Sequence, residues 1–232
     1  MTEKEKIWLA SLSVATIGLA TLIVLYRREI KSGVMSSLSS FKKSILNIAN
    51  KEWNEWNPNG QQIKEGDSRT MDKLRSYWRE GANLNWSDEK MIDEAWSSAF
   101  ISWIMNKGGA GNEFPRTASH SVYIRSSVKN RKENNKNPFK AYKVDEPEAK
   151  VKLGDLVCYP RQSGVNYDTT GSYKSHCDII TEIRETEAVS IGGNVSNSVT
   201  KTIVPITKDG YIDKSRDKKG YGGYFVVIKN KK

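Results

Sequence analysis

Near residue 150 the apolar spacing of this 232-residue chain changes from three-and-four to alternation, and that switch constrains the fold class most. Before it, Val34, Leu38, Phe41, Ile45, Ile48, Ala49, Trp53 and Trp56 fall on one helical stripe, ended by the turn-forming Asn57-Pro58-Asn59-Gly60. A second helix is expected from about Asp67 through Met71, Leu74 and Trp78 to Gly81. The third carries Trp96, Ala99, Phe100, Trp103 and Ile104 on one stripe, widened by Ile101 and Met105, with Gly108-Gly109 as a left-handed stop. Residues 129–150 are polar, contain Pro138 and Pro147, and read as a long surface loop. Short strand-like runs follow at 155–159, 177–183, 188–191, 201–206 and 224–228. Helices first and a strand meander afterwards predict an α+β domain, with N-terminal helices packed on an antiparallel sheet.

Residues 7–26 hold 20 residues without a charge, enough for a helix to cross about 30 Å of hydrocarbon. Trp8 and Tyr26 flank the run, and Arg27 and Arg28 stop it. The expected organisation is therefore an anchor with its flanks over 1–33 and one domain over 34–232, a single-pass membrane protein. Lys4 and Lys6 before the span against Arg27, Arg28 and Lys31 after it weakly favour a cytoplasmic domain, and the opposite orientation stays open.

Lysine and arginine total 37 against 27 acids, a net charge of +10 that suits anionic partners. Nucleic acid is the weakest of these, because no nucleic-acid motif accompanies the charge. Cys158 and Cys177 are too few for a disulfide scaffold and form no familiar metal-ligand spacing with the two histidines, so neither metal nor cofactor is expected. Both lie in strand-like runs, as a cross-strand disulfide or, the commoner case, as two small buried thiols. Tryptophans on the apolar stripes read as core rather than as a glycan-stacking platform.

Four ordered motifs carry a family resemblance. Trp96-Ser97-Ser98-Ala99-Phe100 resembles the nucleophile helix of NlpC-type and CHAP (cysteine, histidine-dependent amidohydrolase/peptidase) domains, which begins Trp-Cys-x-x-Phe. Leu153-Gly154-Asp155-Leu156-Val157 resembles their first-strand turn, Ser175-His176-Cys177-Asp178-Ile179 their base-bearing strand, and Ile191-Gly192-Gly193-Asn194 the strand after it. The chain is also similar to an uncharacterised bacterial domain family of that superfamily, with WSxAF, GDLVCY, HCDI, IGGNV and a segment running here from Phe114 through His120 to Tyr123.

The resemblance implies a papain-like fold and an amidase or peptidase acting on peptidoglycan or a related peptide, anchored in a bacterial inner membrane with its domain facing the cell-wall compartment; the charge bias around the anchor points to the cytoplasm instead, and both orientations stay open. Ser97 stands in the place of the cysteine, His176 would be the base, and Asn194, or else Asp178, would orient its ring. His120, Trp96 and Tyr123 would line the substrate side, and Cys177, alternating with His176, would face away. Serine lacks the ready thiolate of cysteine and needs a better-placed base. The rival reading is an inactive binding or scaffold module of the envelope, a secretion system or a phage particle.

Overall fold

The computed structural model describes residue 33 and residues 35–232. Helix α1, Ser40–Trp56, starts later than its apolar stripe because Ser39 is extended and its hydroxyl accepts the Lys42 amide at 3.3 Å. Helix α2, Met71–Ser76, continues into a π turn, Tyr77–Gly81. Its expected start at Asp67 is not used, since that carboxylate pairs with Arg69 at 2.6 Å. The short α3, Asp88–Asp93, begins at a Ser87 cap and was not foreseen, having only Met91 and Ile92 as apolar residues. Helix α4, Ser97–Gly108, ends as expected at Gly109, whose φ of 96° a side chain would resist.

The expected loop over 129–150 is corrected twice. Helix α5 runs His120–Lys132, and strand β1 occupies Phe139–Lys143. Polar composition concealed β1, but Phe139 packs its ring 6.1 Å from Phe41 and 5.1 Å from Phe114. The other strands are β2, Leu156–Pro160; β3, Ser175–Ile183; β4, Glu187–Gly192; β5, Thr200–Pro205; and β6, Val226–Asn230. They form one six-stranded sheet in the order β1-β6-β2-β3-β4-β5, antiparallel at every pairing. The chain thus has the α+β architecture that its change of period implies.

Strand β6 is tied in between β1 and β2 through Asp155 of the Gly-Asp-Leu-Val motif. Its buried carboxylate accepts the Lys152 and Asn230 amides at 2.9 and 3.0 Å and contacts the Lys229 ammonium. Side-chain alternation then gives the sheet two apolar faces. Leu156, Cys158, Cys177, Ile179, Ile191 and Val226 join the helices in the main core. Val157, Ile180, Ala188, Val204, Tyr224 and Val227 form a second core on the other side. Among the described residues no helix is long and apolar enough to cross a membrane, and the apolar segment at residues 7–26 lies outside them.

Cys158 and Cys177 pair directly across β2 and β3 and are joined by a disulfide, which corrects the expectation of two free thiols. The antiparallel register sets the two side chains on one face, opposite each other. The bond closes a loop of sequence separation 19, so removing it should cost about 3 kcal/mol of unfolding free energy. Urea unfolding of the Cys158→Ala/Cys177→Ala variant against the oxidised parent measures this, and coincident midpoints would show that the bond contributes nothing.

Candidate functional site

The start of α4 is held by aromatic packing. Trp96, the residue before the helix, stacks 5.1 Å from Trp56 and 5.6 Å from Tyr77 by ring centroids, and its indole N–H donates to Glu65. The ring is fully buried. Trp96 therefore serves the core, not an open substrate face, and what it positions is Ser97, the first residue of α4.

Ser97 meets His120, not the expected His176: Oγ lies 2.7 Å from His120 Nε2. His120 opens α5 just as Ser97 opens α4, so two helix starts converge. The ring's other nitrogen, Nδ1, contacts the Tyr123 hydroxyl. Ser98 Oγ, beside them, donates to the Thr117 carbonyl oxygen at 3.1 Å. A neutral imidazole donates from one nitrogen and accepts at the other. With its proton on Nδ1, shared with the Tyr123 hydroxyl, the Nε2 lone pair accepts the Ser97 hydroxyl proton, the tautomer that a general base requires. Burial, with His176 and Arg161 nearby, holds the His120 pKa well below its ordinary 6.5 and keeps the ring neutral. Burial likewise raises the Tyr123 pKa, so its hydroxyl stays protonated.

His176 is committed elsewhere. Its Nε2 lies 2.7 Å from Asp178 Oδ1 and its Nδ1 3.2 Å from Arg161 Nη2. A guanidinium only donates, so Nδ1 accepts and the ring proton sits on Nε2, directed at Asp178. Neither nitrogen is left for Ser97. Alternation along β3 puts His176 and Asp178 on the face of Ile180, opposite to Cys177. Burial alone would raise the Asp178 pKa, but His176, Lys219 and Arg161 outweigh it and hold the carboxyl below its usual range. Ser190 Oγ donates to the second Asp178 oxygen at 3.4 Å. Gly192 makes room for the pair, since a Cβ there would lie 1.8 Å from Asp178 Oδ1. Asn194 does not orient His176, because β4 ends at Gly192 and Asn194 turns away in left-handed backbone with a φ of 54°.

Together these side chains form two adjacent units, Ser97–His120–Tyr123 and His176–Asp178–Arg161. The two imidazole centroids are 5.0 Å apart. A bacterial family described as uncharacterized protein conserved in bacteria (DUF2272) matches residues 53–229, well over half of the chain. The chain belongs to the DUF2272 family. Comparisons with curated proteins and with solved structures return no match.

Both units of this DUF2272 domain lie within the matched segment. Its site is enclosed: Ser97 and His120 are each 5% exposed, and His176 and Asp178 are buried outright. A groove of about 560 Å³ lies beside it, lined by Lys143, Asp168, Tyr167, Tyr224 and Phe225 but by none of the residues above. It meets the site through Tyr224, whose ring centroid is 5.6 Å from Tyr159, itself 5.3 Å from His176. Among the described residues no three metal-ligating side chains cluster. Sequence reasoning missed Arg161, Tyr159 and Lys219; only Tyr159 carried a signal, being opposite His176 once β2 and β3 pair.

Neutral, buried His120 gives the DUF2272 domain a pH signature. Below about 6.5 the unfolded chain binds a proton that the folded ring refuses, so stability is present above 6.5 and is lost as pH falls. The slope should approach about 1.4 kcal/mol per pH unit. Urea unfolding at pH 7, 6 and 5 should show this loss in the parent and a shallower one in His120→Gln. Parallel curves would mean that His120 titrates normally in the fold.

Proposed function

We propose that the chain is a serine-dependent amide-bond hydrolase of the papain-like NlpC/CHAP kind, acting on peptidoglycan or a related peptide. The observation that carries this reading is Ser97 Oγ at a helix start, 2.7 Å from a neutral His120 Nε2. In this mechanism Ser97 Oγ attacks the substrate carbonyl carbon while its proton passes to His120 Nε2. Tyr123, accepting from Nδ1–H, holds the ring in place. The tetrahedral oxyanion falls near the first amides of α4, which have no acceptor within their own helix. Collapse expels the amine, which takes the proton from His120. Water then attacks the ester through the same base, releasing the carboxylate and restoring Ser97. His176 and Asp178 form a buried polar wall beside His120 rather than the base itself.

The setting agrees with an envelope substrate. Disulfides persist in oxidising compartments, so the Cys158–Cys177 bond favours a domain facing the cell wall, tethered through residues 7–26. A net charge of +10 suits the anionic polymers found there. The enclosure of Ser97 and His120 favours a second reading, an inactive binding or scaffold module of the same fold.

Incubating the full chain with purified peptidoglycan separates the two. The parent should release new amine or muropeptide ends, Ser97→Ala should release none, and His120→Ala should fall by about 10²–10⁴-fold. His176→Ala should lose less than His120→Ala, and parent activity should persist below pH 6.5, because His120 stays neutral there. Equal release by the parent and Ser97→Ala would sink the hydrolase reading in favour of the scaffold.

A further inference from the structure

Arg161 and Lys219 stand out beside the site as cations without carboxylate partners. Arg161 Nη2 donates to His176 Nδ1 at 3.2 Å, and its guanidinium carbon lies 5.9 Å from the Tyr159 ring centroid. Lys219 Nζ approaches the same ring, at 4.6 Å. Arg161 is exposed and Lys219 half-buried, so both face solvent over an enclosed site. The lysines that line the adjoining groove are paired, Lys143 with Asp168 and Lys214 with Asp145. Among the described residues Arg161 and Lys219 have no such salt bridge. The two acids close to them are occupied. Asp178 is bonded to His176 and Ser190, and Asp217 accepts the Lys219 and Tyr224 amides.

The anion nearest to both cations, Asp178, is buried and bonded to His176 and Ser190, so the solvent side of the two cations is open to a second anion that would relieve their mutual repulsion further. One Arg161 nitrogen is used on His176, leaving the guanidinium's other donors, and an ammonium brings three more. We propose that Arg161 and Lys219 form a seat for a carboxylate of the ligand, placed over Tyr159 next to His176. Resting on the peptide-hydrolase reading, this names the substrate class as peptides with a free carboxylate close to the scissile amide. The ring of Tyr159 sets the spacing of the two cations, and His176, locked by Asp178, holds the guanidinium from behind.

The test measures binding apart from turnover. Soluble muropeptides, with carboxyls free or converted to amides, are titrated into the full chain in its parent, Ser97→Ala and Arg161→Gln/Lys219→Gln forms. Free carboxyls should bind about ten- to a hundredfold more tightly than amides in the parent and in Ser97→Ala. That preference should vanish in the double variant and partly return in Arg161→Lys/Lys219→Arg. Equal binding of both muropeptide forms by the parent, or an unchanged preference in the double variant, overturns the seat. So does displacement of the bound muropeptide by inorganic phosphate at lower concentration than by acetate, which reassigns the anion. Carboxylate-dependent binding without any hydrolysis leaves the seat standing and sinks the hydrolase reading. Hydrolysis without carboxylate dependence does the reverse.

Discussion

The stacking of Trp96 against Trp56 and Tyr77 is the contact on which the site depends. Burying an aromatic ring of this size is worth roughly 4–6 kcal/mol in transfer free energy. Three such rings from three segments therefore define where α4 begins, and Ser97 follows Trp96 by one residue. The polar edges of the stack are satisfied as well: the Trp56 indole donates to the Tyr77 hydroxyl at 3.0 Å, which contacts the buried Glu52, and Lys73 neutralises Glu52 at 3.1 Å. A stack with unpaired polar atoms would lose much of its advantage.

At the site, directionality does what charge usually does. His176 meets a group of one-way hydrogen-bonding character, the Arg161 guanidinium, which fixes its tautomer and spends both its nitrogens on Arg161 and Asp178. His120 instead meets two hydroxyls, Ser97 and Tyr123, and its Nδ1-protonated tautomer keeps the free lone pair that Ser97 needs. Two rings 5.0 Å apart thus take different roles, although each is a buried histidine beside hydroxyl and cationic neighbours.

The sheet explains why His176 was the natural expectation and was not the partner. In the β3–β4 register Ile179 faces Ile191, and extending that register would set Asn194 opposite His176. The strand stops two residues short, at Gly192, and the absent side chain there admits the His176–Asp178 contact. Alternation, anchored by Cys177 on the helix side with its disulfide, carries His176 and Asp178 to the other face. His120, from a helix start, is the residue that reaches Ser97.

From the sequence alone came the α+β class, the helical stripe ending at Gly109 and five of the six strands to within about two residues, because periodicity and turn chemistry are local properties of the chain, while Ser97 was singled out by the resemblance of its motif. The strand at 139–143 escaped, since its burial comes from Phe41 and Phe114, distant in sequence. The disulfide required the β2–β3 register before it could be told from two thiols. The partner of Ser97 also lay beyond local reasoning. Only the convergence of two helix starts on one point, with both His176 nitrogens taken by Arg161 and Asp178, decided between His120 and His176.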